Sequence, residues 1–133
     1  MASLKPTLTI TGTAADLGTT LSLSETPTGG SLTVTTPIVG VSKVIASATP
    51  VNIIPAGTSV TYLYIKHSGT TDGSTATAQL VDVENSDDEA FARLGAGEFL
   101  FMPFNHAGVS VGVQLQVNHA SNVEMEYAYW TKA

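Results

Sequence analysis

The feature that most constrains this chain is a strict alternation near its C-terminus. Val109, Val111, Val113, Leu115 and Val117 are apolar, while Ser110, Gly112, Gln114, Gln116 and Asn118 between them are polar or glycine. A period of two sends successive side chains to opposite faces, so the run reads as a β-strand with one buried and one wet face. A second run follows over 123–131, with Val123, Met125, Tyr127 and Tyr129 on one face and Glu124, Glu126, Ala128 and Trp130 on the other. The link His119-Ala120-Ser121-Asn122 is short and polar, which predicts that the two runs form an antiparallel hairpin.

Upstream, the pattern is more of the same. Leu8 and Ile10 alternate with threonines, Thr26-Pro27-Thr28-Gly29-Gly30 is a turn by composition, and Leu32 and Val34 restart a strand that Pro37 stops. Short β-like runs then cover 41–46, 51–54, 60–66, 75–83, 91–94 and 98–102, separated by turn signals such as Pro55-Ala56-Gly57, residues 68–74 and Gly95-Ala96-Gly97. The run at 60–66 is apolar at nearly every position, which predicts a central strand buried on both faces. No window shows a helical period. The expected fold is therefore all-β, an antiparallel sandwich of jelly-roll type with eight or nine strands and little or no helix. Seven of the nine aromatic residues follow position 90, which predicts a core weighted to that half. Residues 1–36 hold no aromatic and are rich in Thr, Ser and Gly. They are read as edge strands or an extended arm, set apart from a sandwich domain at 37–133.

Composition narrows the partners. Only 12% of residues are charged, about half the usual ~25%, and hydroxyl side chains take their place, as suits a surface packed against neighbours. The net charge is −6 and the five basic residues are scattered, so neither nucleic acid nor an anionic membrane surface is an expected partner. The N-terminus has no apolar core of signal-peptide type and no run is long enough for a membrane helix, so the chain is expected to be made in the cytoplasm and not secreted. The absence of cysteine rules out disulfides and thiolate metal sites.

The order of motifs carries a resemblance. Ile54-Pro55-Ala56-Gly57-Thr58 leads into Tyr62-Leu63-Tyr64-Ile65-Lys66, then a Gly/Thr/Asp loop and a long strand. Phe91-Ala92-Arg93-Leu94, the Gly97-Glu98-Phe99 turn and a closing aromatic strand complete it. Residues 51–131 thereby resemble small β-sandwich virion proteins of tailed bacteriophages, of the capsid decoration or cement type. The resemblance implies a non-enzymatic structural role on the virion surface, with the major capsid protein or other virion proteins as partners. It also implies a homo-oligomer, with a trimer favoured. The first 36 residues lie outside it.

Several motifs invite chemistry. Gly108-Val109-Ser110-Val111-Gly112 matches G-x-S-x-G, but a nucleophile elbow needs a strand, a sharp turn and a helix, whereas this serine runs straight into an alternating strand. His67, His106 and His119 lack the close pairing of a β-barrel metal site, and no metal or cofactor is expected. Asp82, Glu84, Asp87, Asp88 and Glu89 offer oxygen ligands for calcium without the glycine and alternation of an EF-hand, so a solvated acidic loop is the better reading. Tyr62 and Tyr64 share one strand face and Trp130 lies on another strand. These three are the candidate partner or ligand surface, either for virion proteins or, as in a phage tail or fibre module, for a carbohydrate or receptor. Core packing would use the same residues without any ligand.

Overall fold

The computed structural model describes residues 2–13, 21–37, 41–57, 61–105 and 111–133. These form twelve strands and no helix: β1 (Ala2–Leu4), β2 (Leu8–Gly12), β3 (Leu21–Glu25), β4 (Leu32–Pro37), β5 (Ser42–Ala46), β6 (Val51–Ile54), β7 (Thr61–His67), β8 (Val81–Asn85), β9 (Ala90–Leu94), β10 (Phe99–Phe104), β11 (Val113–Val117) and β12 (Val123–Lys132). The all-β expectation holds. The strand number is higher than the eight or nine expected because the N-terminal third contributes four short strands of its own.

Eight strands, β5 to β12, make the sandwich. One sheet has the order β5-β12-β7-β10 and the other β6-β11-β8-β9, all antiparallel. From β5 onward every connection crosses between sheets except β8 to β9, which is the double Greek-key winding of a jelly roll. The predicted hairpin of the two C-terminal runs is therefore replaced by a corner. β11 pairs with β6 and β8 in the second sheet, while β12 pairs with β5, β4 and β7 in the first. A link of four or five residues reaches the ~10 Å between packed sheets as readily as it turns a hairpin.

The remaining strands sit at the margins. β4 continues the edge of β12 beyond β5, with Trp130 opposite Pro37 and Lys132 opposite Val34, and β1 adds outside β4. Among the described residues β2 and β3 pair only with each other, Leu8 opposite Glu25 through Gly12 opposite Leu21.

Where the two sheets meet, the core is aliphatic. Ile54, Leu63, Ile65, Val81, Val83, Val113, Leu115, Val117, Val123 and Met125 are buried together. Aromatics do not build it: Phe104, Tyr127 and Tyr129 pack at its margin, and Phe91, Phe99 and Phe101 are exposed. The expectation of a core weighted toward the aromatic half is thus corrected. β-Branched and leucine side chains from both sheets fill the layer between them. β7 is central, between β12 and β10, but it is not buried on both faces. Thr61, Leu63, Ile65 and His67 point inward, and Tyr62, Tyr64 and Lys66 lie half-buried on the outer face. The strand expected over 75–83 begins only at Val81, because the preceding residues form the crossing from β7 to β8.

That crossing is ordered by side chains. Asp72 accepts hydrogen bonds from the backbone N–H groups of Thr75 (2.7 Å) and Ser74 (3.0 Å) and from both hydroxyls. These donors, the backbone ones foremost, hold its carboxyl at about 2, well below the ordinary value. A depressed carboxylate supports the loop fully above the ordinary carboxylate range, and the support is lost as pH falls through about 2. A carbon-detected NMR titration should find the Asp72 midpoint near 2; an ordinary midpoint would mean that these bonds are not held in solution.

Candidate functional site

The outer face of the first sheet brings the three candidate residues together. In register across β12 and β7, Trp130 faces Tyr62 and Ala128 faces Tyr64. β10 adds a third column, in which Pro103 faces Tyr62, Phe101 faces Tyr64 and Phe99 faces Lys66. The rings of Tyr62 and Phe101 stack diagonally, with centroids 6.2 Å apart and planes 9° from parallel. Lys132 places its ammonium 4.8 Å from the centre of the Tyr62 ring, a cation–π contact. Phe99 is 60% exposed and Phe101 38%, so the patch is open to solvent at the β10 edge. Partial burial, and then the charge of Glu126, raise the Tyr64 phenol above its usual range.

Polar groups frame the patch. Lys43 on β5 bonds Glu124 at 2.9 Å, and Glu126 lies between Lys43 and Lys66 across the strands. Phe99, Phe101, Pro103 and Lys132 were missed by sequence reasoning, although Phe99-Leu100-Phe101 shows the alternation that would expose two rings on one face. An apolar residue on every position conceals that signal.

The outer face of the second sheet is different in kind. Asp82 is buried and accepts from Arg93 Nε (2.5 Å), Arg93 Nη2 (2.9 Å) and Asn118 Nδ2. Gln114 is also buried and donates to Asp88 (2.7 Å) and Glu84 (3.3 Å). In the β8–β9 turn, the Asn85 side-chain oxygen Oδ1 accepts from the N–H groups of Asp87 and Glu89, and its Nδ2 donates to the Glu89 carboxylate. The carboxylates of Asp82, Glu84, Asp88 and Glu89 are thus engaged by amides and a guanidinium. Among the described residues no group of three His, Asp or Glu side chains is placed to hold a metal ion.

The other candidate chemistry resolves into structural roles where it is described. His67 is wholly buried: the Gly69 N–H donates to its Nδ1 at 2.9 Å, so the ring proton sits on Nε2 and is donated to the Gln79 carbonyl at 2.9 Å. Neither nitrogen is left for a metal. His119 is exposed and its Nδ1 is within hydrogen-bond distance of the Ser121 hydroxyl and N–H. His106 and Ser110 lie outside the described residues. Gly112, the last glycine of G-x-S-x-G, packs against the backbone at the end of β6, which accounts for that glycine without an elbow.

Three clefts among the described residues bear on the site. One of about 330 Å³ holds the Arg93 guanidinium, already bound to Asp82. One of about 470 Å³ is walled by Phe91 and Phe104, whose rings stack at 5.1 Å. The largest, about 770 Å³, lies between β2 and β10. No family model, curated protein or solved structure matches the chain.

Proposed function

We propose that this chain is a non-enzymatic virion structural protein of tailed-bacteriophage type, a decoration or cement protein that binds the assembled capsid and bridges its subunits. The observation that carries this reading is the aromatic patch on the outer face of the first sheet, where Phe99 and Phe101 are exposed beside the half-buried Tyr62, Tyr64 and Trp130, on a chain with few charges. Exposed clustered aromatics mark interaction surfaces, and interface centres favour Tyr, Trp and Phe over charged groups. The sequence resemblance supplies the kind of partner, the capsid surface as location, and a homo-oligomer proposed as a trimer. Each bound copy contributes free energy that only the assembled shell receives, so the shell is stabilised by linkage. With Lys43 tied to Glu124 and Lys132 to Tyr62, attachment should depend only weakly on salt.

The test is quantitative mass spectrometry of gradient-purified particles. Near-stoichiometric amounts relative to the shell protein are expected. A handful of copies would move the protein to the tail, and absence would end the virion reading. In a companion experiment, alanine at both Tyr62 and Trp130 should weaken particle attachment roughly tenfold or more, with little change in thermal midpoint. Unchanged attachment would place the contact on another face.

A second reading, a carbohydrate- or receptor-binding module of a tail or fibre, is favoured by one feature: the exposed Phe99 and Phe101 rings beside Tyr62 offer aromatic surface on which a sugar ring stacks. Binding on a glycan array that is abolished by Tyr62→Ala would select it.

A further inference from the structure

The cleft between β2 and β10 is bounded by two strand edges. Its walls are Thr7, Leu8, Thr9 and Ile10 on one side and Phe99, Leu100 and Phe101 on the other. Consecutive residues of a strand point to opposite faces. A cavity lined by consecutive residues of two strands is therefore faced by their edges. Among the described residues β2 is paired only with β3, and β10 only with β7, so each turns its other edge outward.

The pairing of β10 with β7 shows which groups are unused. His67 N–H donates to the Glu98 carbonyl at 2.9 Å, so residue 98 bonds inward. Antiparallel ladders bond alternate residues, which directs 100, 102 and 104 inward and 99, 101 and 103 outward. Pro103, which has no N–H to offer, falls in the outward set, where a proline is tolerated. The N–H and C=O groups of Phe99 and Phe101 point into the cleft.

We propose that this cleft is a strand-acceptor slot that takes an extended, uncharged segment of a different protein chain, adding it as a strand beside β10. None of the seven lining residues is charged, in a chain of net charge −6, so an acidic or basic strand would bury its charge without a partner. An uncharged one with alternate apolar residues matches Phe99 and Phe101 on the outer face and Leu100 on the inner. The volume of about 770 Å³ lies within the roughly 300–1,000 Å³ of ligand clefts. Main-chain bonds supply affinity and the alternate side chains supply selectivity, as in β-augmentation generally. A second copy of this chain would have to enter edge to edge, since each of its described strands is already paired on at least one side, and the test distinguishes that occupant. The slot does not rest on the virion reading.

The test uses the full chain, isotope-labelled, and a blocked synthetic peptide of alternating valine and threonine. Saturable binding is expected, with the Phe99 and Phe101 amides gaining protection from hydrogen exchange. Phe101→Pro removes one outward N–H without touching the β7 ladder, and Phe101→Ala keeps that N–H while removing the same ring. The proline variant should bind at least tenfold more weakly than the alanine variant. Equal affinities, or no binding to the unaltered chain at millimolar peptide, would overturn the slot. Amide protection that grows with protein concentration in the absence of peptide would overturn the choice of occupant and assign the slot to a second copy.

Discussion

Replacing His67 with alanine should destabilise the protein by about 3–5 kcal/mol, the largest effect expected of any single substitution considered. The ring is wholly buried at the end of β7, where the chain leaves the first sheet to cross to the second. Its Nδ1 takes the Gly69 N–H and its Nε2–H reaches the Gln79 carbonyl, so one side chain ties both ends of the crossing. Alanine would leave a cavity and two part-buried backbone groups without these bonds, each worth up to roughly 1–3 kcal/mol. His67→Phe separates the two contributions because it keeps most of the volume and removes both bonds. Chemical denaturation should find the phenylalanine variant destabilised as well, by about 2 kcal/mol. A phenylalanine variant as stable as the parent would show that the ring acts only by filling space.

Gly112→Ala should lower stability by about 3 kcal/mol and the thermal midpoint by roughly 10 °C. A Cβ at this position would lie 2.4 Å from the Ile54 carbonyl oxygen and 3.0 Å from the Ala56 nitrogen. Both are backbone atoms at the end of β6, and they cannot rotate away as a side chain would. The backbone of Gly112 is also anchored by a 3.0 Å bond from its N–H to Ser86 Oγ. Relief therefore requires moving β6 relative to β11, which opens the core around Ile54 and Val113. Differential scanning calorimetry of this variant beside Gly29→Ala makes the comparison. Gly29 has a left-handed backbone but open space around it, so its substitution should cost only the conformational strain, about 1 kcal/mol. Equal losses at the two positions would refute the close-approach account of Gly112.

The sequence by itself determined the class of fold and much of the core. Alternation at Val113, Leu115 and Val117 and at Val123 and Met125 named the buried face of both C-terminal strands, because a period of two admits one face to the core and no other arrangement. It also brought out Tyr62, Tyr64 and Trp130 as a candidate surface, though not their adjacency. What only the tertiary structure decided is which sheet each strand joins. Residues 119–122 read as a hairpin because local composition reports a turn and not its destination; whether the chain folds back or crosses to the facing sheet depends on partners some 40 to 80 residues away, such as Val51 for Leu115 and Tyr62 for Trp130. The same non-local pairing put Phe99 and Phe101 beside Tyr62 and Tyr64, left one edge of β10 without a partner among the described residues, and turned a histidine with no sequence motif into the pin of a crossing loop. Periodicity is a property of one strand, and a surface or a slot is made by several, so the chain's composition could not disclose either.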